Sequence, residues 1–165
     1  MKGMVFMEVE FDVQMKSGDL YDYMLHHTYS SASGLIGAVA GALMVVAFFS
    51  GAGVLCLIAG LVILLYLPAS LFMKSKQQFL TNPVFKKPLH YKLTEEGIEV
   101  SQGEEVQSLK WEDLYKAIST TKSLIVYTSR VNATIFPRRD LGEKAPAVIE
   151  IISTHMPPKK VKIRF

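Results

Sequence analysis

The chain has 165 residues, with 18 Lys or Arg against 15 Asp or Glu for a formal net charge of +3, and half of its residues are hydrophobic. Once about 50 residues are committed to one long apolar run, what is left suffices for a single small water-facing domain and excludes two separate enzymes. The one cysteine, Cys56, excludes an intramolecular disulfide and a cysteine-based metal site, and its apolar neighbours make it a lipid-embedded thiol.

From the N-terminus, Val5-Phe6-Met7-Glu8-Val9-Glu10-Phe11-Asp12-Val13 alternates from residue 7 onward, with Met7, Val9, Phe11 and Val13 on one face and Glu8, Glu10 and Asp12 on the other. This period of two predicts a half-buried strand. A lone strand is unstable in water, so its partners must come from beyond the apolar run, and the water-facing part is expected to be a composite of both ends. Ser17 to Leu25 follows as a helix that Ser17 or Asp19 can cap. His26 and His27, with Tyr21, Tyr23 and Tyr29, are expected to form an interfacial aromatic and polar belt. Adjacent helical side chains diverge by about 100°, which disfavours one metal held by both histidines. The acids Glu8, Glu10 and Asp12, and an apolar stretch that begins only after residue 30, do not read as a cleaved signal, so the first apolar helix is expected to stay in the mature protein.

From Tyr23 to Met73 there is no Asp, Glu, Lys or Arg, and two apolar stretches, Gly34-Phe49 and Val54-Met73, flank Ser50-Gly51-Ala52-Gly53. A membrane-spanning helix needs about 20 mostly apolar residues, so the run predicts a two-helix hairpin closed by a tight glycine turn. Neither helix holds an ionisable group of the kind that proton relays and ion paths use, which argues against a transporter or channel. Gly37 and Gly41 have the spacing that lets helix backbones approach closely. They are expected to pack on Ala59 and Gly60 of the second helix, with a homodimer through the membrane as the alternative.

Lys74, Lys76, Lys86 and Lys87 crowd the exit of the second helix while the hairpin turn is uncharged, so both termini are expected to face the cytoplasm. Ahead of the hairpin, two lysines against five acids leave −3; the part from Lys74 onward therefore carries +6. Three segments follow: 1-33, a strand and a helix approaching the membrane; 34-73, the hairpin; and 74-165, a cytoplasmic domain.

That domain reads as six short strands: Leu89-Thr94, Ile98-Ser101, Val106-Trp111, Tyr115-Thr120, Ser123-Tyr127 and Ala133-Phe136, separated by glycine-containing or polar turns. Their close spacing predicts an antiparallel sheet or barrel. Trp111 is expected to cover one end of the sheet core, and Glu112 and Asp113 to start a turn. Ala145 to Ile152 reads either as a helix with Pro146 in its first turn or, from its Val and Ile content, as a strand. Val161-Lys162-Ile163-Arg164-Phe165 alternates again, but after Pro157-Pro158 and two lysines it is taken as a basic membrane-proximal extension.

The strand, short helix and hairpin, followed by Leu93-Thr94-Glu95-Glu96-Gly97-Ile98, Leu109-Lys110-Trp111-Glu112-Asp113-Leu114 and Phe136-Pro137-Arg138-Arg139-Asp140-Leu141, resemble the YcxB-like family of small bacterial membrane proteins. The resemblance extends over nearly the whole chain. It implies a pleckstrin-homology-like domain after the hairpin, a strongly bent antiparallel sheet closed by a C-terminal helix, and it assigns no biochemical function. The fold class expected is thus a membrane α-helical hairpin plus an α+β domain whose sheet the N-terminal strand completes.

Arg138 and Arg139 offer forked donors to phosphate or carboxylate, and with Lys144, Lys159 and Lys160 they form the expected ligand-binding surface; a solvated loop with Arg139 paired to Asp140 or Glu143 is the alternative. There is no phosphate loop, nucleophile elbow, zinc-helix or Cys-x-x-Cys motif, so neither enzyme chemistry, cofactor nor metal is expected. Scattered basic residues argue against nucleic acid. The function expected is a membrane-tethered module that binds a protein partner or an anionic lipid headgroup; the alternative is an immunity-type antagonist of a membrane-acting toxin.

Overall fold

The computed structural model describes residues 8–164, so Val5, Phe6 and Met7 of the predicted first strand, and Phe165, lie outside the described residues. Strand β1 (Val9–Val13) leads into helix α1 (Ser17–Tyr29), then α2 (Ala32–Ala47), a π-type turn at Phe48–Ala52, and α3 (Val54–Thr81). Asp19 sets the start of α1 by accepting a hydrogen bond from the Lys16 N–H at 2.8 Å, which satisfies a donor the helix leaves unpaired.

The hairpin follows the prediction at its turn, where Gly51 (φ 93°) and Gly53 (φ 88°) adopt the left-handed conformation that only glycine takes at low cost. Of the expected small-residue contact, the Gly41–Gly60 approach forms. A side chain at Gly60 would come within 2.8 Å of the Gly41 carbonyl and 2.9 Å of Val45 Cγ2, and one at Gly41 within 2.9 Å of Leu64 Cγ. Gly41 is thus closed into the contact with α3, while Gly37 is half-buried near Leu67 Cδ1. The second helix differs from expectation in length: it runs through Lys74 and Lys76 to Thr81, well past Met73. Lys, Gln and Leu propagate a helix, and it ends only where Asn82 turns extended ahead of Pro83.

Two four-stranded sheets follow, where one bent sheet was expected. The first has the order β1-β2-β3-β4, with β2 (Leu89–Leu93), β3 (Gly97–Gln102) and β4 (Glu105–Lys110) antiparallel. As the alternation requires, β1 completes it, pairing Phe11 with Tyr91 and Asp12 with His90. Its outer face carries opposite charges: Lys92 Nζ meets Glu8 and Glu10, and His90 Nδ1 lies 2.8 Å from Asp12 Oδ1. The Lys92 hydrogen bond holds the Glu10 carboxyl below its usual range.

The second sheet has the order β7-β6-β5-β8, from β5 (Lys116–Ser119), β6 (Ser123–Tyr127), β7 (Ala133–Pro137) and β8 (Val161–Lys162). The tail is therefore not a mere extension. Val161 and Ile163 pack on the core, and β8 pairs parallel to β5, Ala117 opposite Val161. Between β7 and β8 the chain forms a single helical turn, α4 (Arg138–Leu141), and then α5 (Ala145–His155). The open assignment of Ala145 to Ile152 resolves as helix because Val148, Ile149, Ile151 and Ile152 form one apolar stripe at helical spacing, all buried.

One core joins these parts. Phe11, Val13, Met15 and Leu20 from ahead of the hairpin are buried with Leu93, Ile98, Leu124, Phe136 and Ile152 from beyond it. The aromatic belt expected at the membrane is turned inward in part: Tyr23 and His27 lie 5.9 and 6.1 Å from the Tyr127 ring, and Tyr23 Oη donates to the Val131 carbonyl at 2.6 Å. Burial raises the Tyr127 phenol to about 12. Since the unfolded phenol ionises near 10, the stability this group contributes is fully present below about pH 10 and is lost as pH rises toward 12. Tyrosinate absorbance during alkaline titration should show Tyr127 ionising together with loss of circular dichroism; ionisation at the ordinary pH without unfolding would contradict it.

Candidate anion-binding groove

The three residues expected to bind a ligand, Arg138, Arg139 and Lys144, bond back to the protein. Arg139 grips Asp19 through two hydrogen bonds of 2.5 and 2.7 Å, donates to the Gln14 carbonyl at 2.9 Å, and lies 3.3 Å from Asp140. The bond to Asp19 raises its already high pKa, so it is charged throughout the physiological range. Arg138 donates to the Arg164 carbonyl at 2.8 Å, and Lys144 to the Glu10 carbonyl at 2.7 Å. These side chains tie α4 and the α4–α5 turn to β1, α1 and the tail. Pairing with Asp140 agrees with the alternative read from sequence, and Asp19 adds a partner from the far side of the hairpin.

Trp111 behaves as expected of a core-covering ring. It is 5% exposed, stacks on His155 at 5.6 Å between centroids and donates from Nε1 to the Thr94 carbonyl at 2.9 Å. Glu112 and Asp113 form the short helical turn after β4. Lys74, Lys76, Lys86 and Lys87 are exposed near the end of α3, with the Lys76 ammonium 4.7 Å from the centre of the Phe72 ring.

Cations converge elsewhere. A groove of about 780 Å³ is lined by Lys116, Lys159, Lys160, Lys162 and Arg164, together with His26 and Ser30 from the end of α1. No carboxylate lines it among the described residues. Alternation in the tail explains two of these positions: Val161 and Ile163 pack inward, so Lys162 and Arg164 are exposed. Ser119 fixes the tail by accepting from the Arg164 N–H at 2.7 Å. Two further cations are held in place from beneath. The Lys116 ammonium sits 4.5 Å over the Tyr127 ring, and Lys160 Nζ donates to the Leu114 carbonyl at 2.9 Å. Each ammonium has three N–H donors, so both keep donors for a ligand.

His26 closes the groove on the hairpin side, with Nδ1 3.4 Å from Ser30 Oγ. Burial first, and then the nearby Lys116 charge, lower its pKa, against the opposing pull of Asp22. At neutral pH it is therefore an uncharged imidazole with one N–H donor. Ala32, which begins the first apolar helix, follows closely on Ser30. The groove thus adjoins the base of the hairpin, and its chemistry is that of an anion receptor: fixed cations, an imidazole and a hydroxyl.

Of the basic residues expected to bind, Lys159 and Lys160 reach this groove, whereas Arg138, Arg139 and Lys144 do not line it. Sequence reasoning did not find Lys116, Lys162, Arg164 and His26 as site residues. The signal for Lys162 and Arg164 lay in the Val161-to-Arg164 alternation, which puts both on one face; Lys116 and His26 carry no such signal.

Neither the curated proteins nor the solved structures gave a significant match to this chain. Residues 93–152 match the family model described as YcxB-like protein, and all three motifs that carry the resemblance fall within that span.

Proposed function

We propose that this protein is a non-enzymatic module anchored in the bacterial cytoplasmic membrane by the α2–α3 hairpin, which presents a pleckstrin-homology-like domain at the cytoplasmic face to bind anionic lipid headgroups. Membrane insertion is supported by two apolar spans long enough to cross a bilayer, Ala32–Ala52 (21 residues, α2 with the π-type turn) and Val54–Thr81 (28 residues, α3). A core helix of a soluble protein would be covered, yet Leu55 is 77% exposed and Phe49 79%. The pleckstrin-homology-like reading is supported by two small sheets sharing a core with the C-terminal helix α5.

The observation that carries the binding function is the basic groove beside the base of the hairpin, lined by five cations and, among the described residues, by no carboxylate. An inner-leaflet surface attracts each nearby basic residue by about 1 kcal/mol, an attraction that fades within a Debye length, so cations placed at the helix base are where this field acts. Lys159, Lys162 and Arg164 are exposed, so reversing their charge should leave folding intact. Full-length protein and its K159E/K162E/R164E variant, extracted in mild detergent, can be compared by mass spectrometry of the retained lipids. The expected result is at least a roughly tenfold drop in retained anionic lipid for the variant, with wild-type retention falling as salt rises above about 0.15 M. Equal retention by both proteins would sink this reading.

A further inference from the structure

Resting on that reading, we infer that the groove selects a phosphomonoester headgroup, which carries more than one negative charge, over a phosphodiester headgroup that carries one. The argument is one of charge and donor count. Five cations share one groove, and two of them are fixed there by the protein itself, Lys116 on the Tyr127 ring and Lys160 on the Leu114 carbonyl. A single negative charge leaves most of that repulsion uncompensated. A terminal phosphate carries about 1.5 to 2 negative charges at pH 7 and presents three strong acceptor oxygens.

The donors match such a group in kind. Arg164 has a planar fork suited to two oxygens of one phosphate, while Lys116 and Lys160 supply point charges. Neutral His26 and Ser30 add hydrogen-bonding partners at the hairpin side without a further charge. A phosphodiester has only two terminal oxygens and carries a second substituent that would have to be accommodated among these groups. Position favours a lipid as the source. His26 and Ser30 stand at the end of α1, just ahead of the first apolar helix, so a phosphate at the bilayer surface reaches the groove without a long tether.

The test uses the full chain in non-ionic detergent, titrated at neutral pH with mixed micelles containing equal mole fractions of phosphatidate, phosphatidylglycerol or phosphatidylcholine. Glycerol 3-phosphate in solution is a fourth arm. Phosphatidate is expected to bind at least tenfold more tightly than phosphatidylglycerol, and K162Q/R164Q to reduce phosphatidate binding to the phosphatidylglycerol level with an unchanged melting temperature. Equal affinity for the two anionic lipids would overturn the selectivity while leaving headgroup binding standing. Binding of neither would overturn both. Glycerol 3-phosphate binding as tightly as micellar phosphatidate would overturn the lipid source and make the ligand a soluble phosphate ester.

Discussion

Replacing Phe136 with alanine is expected to destabilise the fold by about 3–5 kcal/mol, the range for deleting a buried aromatic ring. Phe136 is fully buried on β7, and its ring meets Phe11 edge-on at 5.1 Å and Tyr91 at 4.9 Å. Phe11 and Tyr91, stacked at 5.7 Å, lie on paired strands β1 and β2 of the other sheet. The three rings therefore join the two sheets. Each ring adds aromatic contact beyond its buried area, about 0.5–1.5 kcal/mol per pair, and the cavity left by alanine cannot be filled without moving one sheet relative to the other. Denaturant titration of full-length protein, read by Trp111 fluorescence, would measure the loss. F136L should retain more than half of the lost stability, because it fills most of the volume. A loss below about 1 kcal/mol for F136A would show that the sheets are held together elsewhere.

Removing Arg139 should be the second most costly single change, at about 2–3 kcal/mol. Asp19 keeps only 5% side-chain exposure, and without the guanidinium it would be a buried carboxylate with the Lys16 N–H as its remaining donor. A fully enclosed pair broken on one side loses about 3–5 kcal/mol; the Arg139 side chain is 38% exposed, and solvent screening lowers the figure. The stranded charge makes the effect asymmetric. D19A/R139A should be more stable than R139A alone, since it removes the unpaired carboxylate. R139K should not restore the wild type, because an ammonium cannot repeat the two-oxygen grip or reach Gln14 as well. Thermal melts of the four proteins decide the matter, and a double variant no better than R139A would refute the stranded-charge account. The pair matters beyond stability. It fastens α1, whose far end supplies His26 and Ser30 to the groove, to the α4 turn after β7.

How far the sequence is legible depends on the range of the interaction that sets each feature. The helical hairpin reads directly, because hydropathy over consecutive residues marks two long apolar spans and the glycines of its turn answer a local backbone need. Strand β1 reads as well, and so does its need for distant partners, since a period of two with acids on one face has few other solutions. The outcome at Ala145 to Ile152 is less legible. Val and Ile suit a strand locally, and only the core waiting on one side makes the helical stripe the better burial. The two-sheet division does not read at all, because strand content is local and strand pairing is not.

The candidate site shows the same boundary more sharply. Sequence marked the Arg138-Arg139 pair because adjacent arginines look like a receptor, yet Asp19 and the Gln14 carbonyl hold Arg139 and the Arg164 carbonyl accepts from Arg138, all remote along the chain. Lys116 and Lys162 look unrelated until β8 pairs parallel to β5 and brings their strands side by side. By itself, the sequence determined the apolar hairpin, the composite origin of the sheet domain and the basic balance of the chain beyond the hairpin, because hydropathy, periodicity and charge add up residue by residue. Tertiary structure alone decided which cations are bound up in holding the fold and which are gathered around an open groove, because that choice depends on contacts between segments remote along the chain.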